Sequence, residues 1–283
     1  MGIARHGDGL GAAVRALASQ VHPVFMLPPL AASWFGAILA GWFDPGLGAV
    51  HATAIFAAVY TAHIKDGYVD FYERGEDDDH PLTPLGCRLA LVGATVLFVC
   101  CLLVLWLTVD PVAALVTAPC WVIAYHHAPQ LDTNPVTATM GYPVGIALAI
   151  VGGYYVQTSA FDPLPLAFAL VFVLVLSGVK VVDDAQDFAY DRSIDKRTVA
   201  VVLGPLRARK AAYGSMAGGL CLVLVLVATG VFPPGSVGAV VAFGVVAALT
   251  RRAGPERATM LLVRGSYLFL AVLVVAVWYE PLY

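Results

Sequence analysis

The sequence predicts an all-α integral membrane protein: one polytopic domain over residues 1–283, with about nine transmembrane helices in a single bundle. Three observations lead there. Hydrophobic residues make up 60% of the chain and charged residues only 12%, with a mean hydropathy of +0.82, far from soluble usage. The apolar residues are gathered into runs that match a hydrocarbon core of about 30 Å crossed at about 1.5 Å per residue. With nine alternating crossings, all 16 Lys and Arg fall on one side. The positive-inside rule makes that side the cytoplasm, with the N-terminus cytoplasmic and the C-terminus outside.

The elements follow in order. Residues 1–20 form a short cytoplasmic segment carrying Arg5 and Arg15. The first span, 23–43, is too long for the core of a signal peptide and is followed by many more, so it is read as a retained helix. The second, 46–65, runs directly into an acidic loop. Spans three and four, 87–108 and 111–127, are separated by Asp110-Pro111, and spans five and six, 136–157 and 164–182, by Phe161-Asp162-Pro163. Spans seven and eight, 210–230 and 235–250, meet at Phe232-Pro233-Pro234-Gly235, where Pro and Gly punctuate helix ends. The ninth span is 259–279. The fourth and eighth are the shortest. Cys87, Cys100, Cys101, Cys120 and Cys221 lie in or beside apolar runs without metal-ligand spacing, as expected of buried free thiols. The polar stretches are too short for a separate soluble domain, and no nucleic-acid partner is expected.

Charge is concentrated. Of 19 acidic residues, the majority fall within 66–79 and 183–195, each cluster emerging from an apolar run. In the second, Asp183, Asp187, Asp191 and Asp195 recur at four-residue intervals with Asp184 alongside. On one continuous helix these carboxylates form a slowly drifting stripe, because four residues advance about 40° beyond a full turn. Like charges so spaced repel, so a cation is expected on the stripe. Oxygen-only ligation points to Mg²⁺ holding a phosphate-bearing substrate, with Lys196, Arg197 and Lys180 as donors to the remaining phosphate charge. The plainer alternative is a solvated helical extension, but solvated faces mix signs rather than repeating Asp. Asp66 and Asp70, one turn apart at the end of span two, are read as metal ligands, whereas Asp77, Asp78 and Asp79 read as a solvated acidic loop. An apolar span runs into D-x-x-x-D twice, at Asp66/Asp70 and Asp187/Asp191, a weak internal echo.

The stretch Asp187 to Gly204, D-F-A-Y-D-R-S-I-D-K-R-T-V-A-V-V-L-G, resembles the second aspartate motif of the UbiA superfamily of intramembrane prenyltransferases. Asp187, Asp191, Arg192, Lys196, Thr198, Leu203 and Gly204 match it position by position. The first motif of that family, N-D-x-x-D-x-x-x-D, is met by Asp66 to Arg74 in degenerate form. Asp70 matches its central Asp and Asp66 stands at the Asn position, while Gly67 and Arg74 replace two carboxylates. Tyr125 resembles the Tyr of a loop after span four, although Gln130 and Asp132 stand where a basic residue is expected, and His22-Pro23 stands in place of Arg-Pro. The resemblance implies nine helices and two cytoplasmic Asp-rich loops. It also implies Mg²⁺-dependent transfer of a prenyl group from an allylic isoprenyl diphosphate to a lipophilic acceptor within the membrane. By it, Asp66, Asp70, Asp183, Asp184, Asp187 and Asp191 hold metal, and Asp66, Asp70, Asp187, Asp191 and Tyr125 are catalytic. Lys180, Arg192, Lys196, Arg197 and Arg74 then bind the diphosphate. Aromatic residues such as Trp34, Tyr60, Tyr68, Tyr142, Tyr154, Tyr155 and Phe188 are candidates for lining an isoprenoid pocket.

Rival readings follow from the same residues. A cation transporter would use the acidic clusters as an ion path, but transporters place ionisable groups near the bilayer midplane and these carboxylates sit at span ends. A CDP-alcohol phosphotransferase pattern begins at Asp66-Gly67 and is broken by Val69-Asp70. A relative that only binds lipid is the third alternative, since fold does not fix function; His126 and His127 are read chiefly as interface residues.

Overall fold

A computed structural model of the chain describes residues 2–42, 44–194 and 196–279. Asp195, the last carboxylate of the expected stripe, lies outside the described residues. Long helices coincide with each of the nine predicted spans: α2 (Pro23–Ile38), α3 (Pro45–Tyr68), α4 (Pro84–Thr108), α5 (Pro111–His126), α6 (Pro135–Thr158), α7 (Pro163–Asp184), α10 (Pro205–Ala228), α11 (Val237–Thr250) and α12 (Pro255–Tyr279). Short helices α1 (Gly9–Ala18), α8 (Phe188–Ser193) and α9 (Val199–Leu203) complete the series. Among the described residues, six helices (α3, α4, α6, α7, α10 and α12) are long and apolar enough to cross a membrane, and α1 with α2, bent by 65°, makes a seventh candidate. The chain is therefore a multi-pass, all-helical membrane protein. Helices α5 and α11, with 16 and 14 residues, are shorter than the bilayer core and make the count of nine crossings an inference rather than a matter of length.

One local device starts five of the nine helices that match the expected spans. Asp44, Thr83, Asp110, Asn134 and Asp162 each cap a helix with a side-chain oxygen that accepts from a backbone N–H in the first turn, and proline follows each cap. The cap satisfies an otherwise orphaned donor, and proline sacrifices an N–H that had no partner anyway. Such caps matter more where the helix end meets lipid, which offers no hydrogen bonds.

The bundle packs by close approach. Helices α2 and α6 meet at Gly36 and Gly153, where an added Cβ would collide with the carbonyls of Ile150 and Ser33, the small-residue contact by which membrane helices associate. Helix α7 packs between α6 and α10 and is the most buried of the six spans. Between them Phe168 stacks on Phe232 at 3.7 Å and meets Phe35 edge-on at 5.0 Å, all three fully buried. Outward-facing Leu103, Leu107, Leu115, Leu170 and Val241 form the apolar exterior.

The expected acidic stripe is not one helix. Helix α7 ends at Asp184, the chain turns through Ala185 and Gln186, and Asp187 (φ −96°, ψ 13°) begins α8. Repulsion among carboxylates on one face opposes a continuous helix, and the carboxylates are paired separately on either side of the break: Lys180 holds Asp183 and Asp184 within the last turn of α7, and Lys196 holds Asp191 beyond it.

Candidate active site

A cavity of about 640 Å³ opens among α2, α3, α5, α6, α7 and α12. One end is acidic: Asp66 and Asp70 come from the end of α3, Lys180 and Asp183 from the end of α7. Deeper in, the wall is apolar, with Ile55, Ala58, Val59 and Ala62 of α3 facing Ile146, Leu176 and Val179. The α3 residues recur every three or four positions, so one helical face carries the gradient from carboxylate to hydrocarbon. The two acidic clusters, separated by more than a hundred residues in the chain, thus meet at one mouth.

Helix α3 continues as a π-helical turn, Val69–Arg74, ended by Gly75 at φ 65°. The wider turn carries Arg74 back against Asp70 at 3.4 Å and across to Asp132, in the loop before α6, at 2.6 Å. The side chains of Arg74 and Asp132 are only 15% and 10% exposed, so this pair is largely withdrawn from water. Lys180 lies 3.1 Å from Asp183 and 2.6 Å from Asp184. Asp184 is 4% exposed and its second oxygen has no hydrogen-bond partner. Lys196 reaches Asp191 at 3.4 Å. Burial pushes the Asp191 carboxyl above the ordinary range, and the Lys196 ammonium opposes that rise. The principal cations of the region are thus each engaged by a carboxylate of the protein.

Gly67 has a structural reason. A Cβ there would lie 2.9 Å from the ring of His80, which is buried, holds its Nε2 3.3 Å from the Cys87 sulfur and stacks beside Phe71 at 5.9 Å. Burial also holds the His80 imidazole below its ordinary pKa. The loop carrying His80 is strapped by the N-terminal segment: Arg5 N–H donates to Pro81 O at 2.8 Å, Thr83 N–H to Ile3 O at 3.0 Å, and Ala4 bridges Leu82. Asp79 bonds His6 at 2.8 Å and lies 3.4 Å from Arg5; the contact with His6 lowers the Asp79 pKa. Asp79 and Asp77, expected to be a solvated loop, are indeed exposed, but both also border the cavity mouth.

The predicted site residues therefore separate into two groups. Asp66, Asp70, Asp183 and Lys180 line the cavity together. Asp184 sits behind them on Lys180; Asp187 faces a second hollow beside Glu256 and Arg257; Asp191 is buried on Lys196; Arg192 and Arg197 are exposed. Arg74 is held by Asp70 and Asp132. Tyr125 is not among the cavity-lining residues: its ring stacks on Trp121 at 4.9 Å with the Lys65 ammonium 5.4 Å above it. Sequence reasoning missed His63 and His80, both on the cavity wall. His63 precedes Asp66 by three residues, so helical spacing was the signal that pointed to it; for His80 the only trace was a glycine at position 67.

Asp66, Asp70 and Asp183 supply the hard oxygen donors that a divalent cation such as Mg²⁺ prefers, and Mg²⁺ keeps part of its shell for water or phosphate oxygens. Among the described residues no group of three His, Cys, Asp or Glu converges closely enough to hold a metal ion unaided. A cation at this mouth needs oxygens from a ligand as well.

A family model described as "UbiA prenyltransferase family" matches residues 26–273. No curated protein matches the chain in sequence. Among solved structures, a UbiA homolog from Aeropyrum pernix K1 superposes with a TM-score of 0.73 at 12% identity, covering 92% of this chain and 99% of that one. A digeranylgeranylglyceryl phosphate synthase superposes with a TM-score of 0.71 at 13% identity, covering 94% and 97%. A UbiA homolog from Archaeoglobus fulgidus, solved bound to DMAPP and Mg²⁺, gives 0.57 at 16% identity, covering 94% and 99%. At these identities the structural likeness speaks for the fold, and the family model, spanning most of the sequence, carries the assignment: the chain belongs to the UbiA prenyltransferase family.

Proposed function

We propose that this protein is a Mg²⁺-dependent intramembrane prenyltransferase. It transfers the prenyl group of an allylic isoprenyl diphosphate to a lipophilic acceptor. The observation that carries the reading is the single cavity with carboxylates of α3 and α7 at its mouth and a hydrocarbon-lined body beneath. A diphosphate ester is that kind of molecule, anionic at one end and apolar along the rest. Two structural relatives of the same fold, both UbiA homologs from Archaeoglobus fulgidus, are described as bound to DMAPP and Mg²⁺ and to GPP and Mg²⁺, which supports the same ligands here.

Each residue has a part. Asp66, Asp70 and Asp183 would hold Mg²⁺ together with oxygens of the substrate, and Asp184 fixes Lys180 beside them. Bound there, the ion supplies positive charge for the departing diphosphate. Lys180 donates to a diphosphate oxygen, with Arg74 and Lys196 adding positive charge from behind the carboxylates they hold. Asp187, Asp191, Arg192 and Arg197 lie on and after α8, beyond the end of α7 that carries Asp183; Tyr125 steadies Lys65 at the end of α3. The apolar wall excludes water from the reacting carbon. Nine crossings, with both acidic loops on the cytoplasmic face, fit the one-sided distribution of Lys and Arg.

The test is transfer by the purified protein in liposomes, using labelled C10 to C20 allylic diphosphates and a membrane lipid extract. Activity should require Mg²⁺, and Asp66→Asn and Asp183→Asn should each lower it at least about a hundredfold. Undiminished transfer in excess chelator, or full activity in both variants, would overturn the reading.

A further inference from the structure

We propose that His63 is the base that takes the proton the acceptor gives up when it is prenylated. The inference rests on the function proposed above and adds the residue that handles the second substrate. Three features assign it. His63 lies on the cavity wall, three residues before Asp66, about 4.5 Å along the axis of α3. It therefore stands at the boundary between the acidic mouth and the apolar body, where the reacting carbon of a diphosphate ester held at the mouth must lie. Its Nδ1 is 3.3 Å from the carbonyl oxygen of Gln20. A carbonyl only accepts, so Nδ1 donates there, and in the neutral ring Nε2 bears the lone pair. Third, the ring is held in place by its neighbours: His22 meets it at 5.0 Å and Phe25 at 6.3 Å, both edge-on.

The charged or titratable groups facing His63 are His22 at the start of α2, Asp66 on its own helix and His127 beyond α5. Asp66 is the one carboxylate among them, and the departing diphosphate brings further negative charge beside an imidazolium formed in turnover. The step balances. The bond from the prenyl C1 to the diphosphate oxygen breaks and its electron pair leaves with the diphosphate. The acceptor's nucleophilic atom bonds to C1, and the proton that the acceptor gives up passes to Nε2 of His63.

The experiment compares wild type, His63→Gln and His63→Ala in liposomes with labelled geranyl diphosphate, Mg²⁺ and the membrane lipid extract. Both variants should transfer at least about a hundredfold more slowly while binding geranyl diphosphate with unchanged Kd. Imidazole in the buffer should restore transfer in His63→Ala about tenfold or more, and leave His63→Gln, whose side chain fills the space, unrestored. A structural role predicts no such rescue. Wild-type transfer by either variant, weakened geranyl diphosphate binding in both, or absence of rescue would overturn the assignment. Absence of transfer by wild type with every diphosphate from C10 to C20 would defeat the proposed function itself, and the base with it.

Discussion

Replacing Gly67 with alanine sets two opposing effects against each other. Alanine in a helix is favoured over glycine by roughly 0.5–1 kcal/mol. Against it, the new Cβ would lie 2.9 Å from Cε1 and 3.3 Å from Nδ1 of His80, so the ring must withdraw by about 0.6 Å to reach normal carbon contact. It has little room to do so: His80 is 3% exposed, with Phe71 and Tyr72 each 5.9 Å from its ring and Cys87 at its far nitrogen. Overpacking of this kind costs about 1–3 kcal/mol. The net expectation is that Gly67→Ala destabilises by about 1 kcal/mol. In a His80→Ala background the clash vanishes and the same substitution should stabilise by roughly 0.5–1 kcal/mol. A double-mutant cycle, read from denaturant unfolding in detergent micelles, should give a coupling of about 1–3 kcal/mol. Equal effects of Gly67→Ala in the two backgrounds would refute the claim that His80 is what position 67 makes room for. The same packing means that Gly67→Asp, which would restore the family's carboxylate, should lower stability without raising activity.

Further expectations follow from other contacts. Arg74→Leu should destabilise by about 3 kcal/mol, because it strands Asp132 in a site largely withdrawn from water, and Arg74→Leu with Asp132→Leu should recover most of the loss; a double variant as unstable as the single one would count against the pair. Asp70→Asn, which removes the 3.4 Å arm and leaves Arg74 its closer partner Asp132, should change stability far less than Arg74→Leu, though it should impair turnover. Burial depresses the His80 pKa, so the unfolded chain binds a proton first as pH falls. Stability should therefore drop below about pH 6.5. Asp79, whose pKa is also depressed, acts in the same direction, stabilising above its unfolded pKa and losing that contribution on acidification. Melting curves at pH 7.5 and 5.5 should show a smaller shift in His80→Gln than in wild type; equal shifts would refute the assignment. Gly153→Leu should prevent α2 and α6 from packing, seen as loss of monodisperse protein in size-exclusion chromatography, whereas a monodisperse variant of wild-type stability would show that the helices do not meet there.

By itself the sequence determined the helical membrane bundle, the helix positions and the family. Crossing a bilayer demands an apolar run of fixed length, and capping with Asp-Pro or Asn-Pro is a matter of adjacent residues, so both are local and can be read along the chain. The same holds for Asp66 and Asp70, placed one turn apart on α3. What only the tertiary structure decided is which charges face one another. The stripe from Asp183 onward reads as one helix, yet it breaks after Asp184, with Lys180 pairing the carboxylates before the break and Lys196 pairing Asp191 after it. Arg74 reads as a lost carboxylate and proves to be the partner of Asp132, nearly sixty positions away. His63 and His80 carry no motif and become part of the cavity only when α2, α3 and α7 converge. Electrostatic pairing depends on distance and burial in three dimensions, and spacing along the chain constrains neither once a loop intervenes.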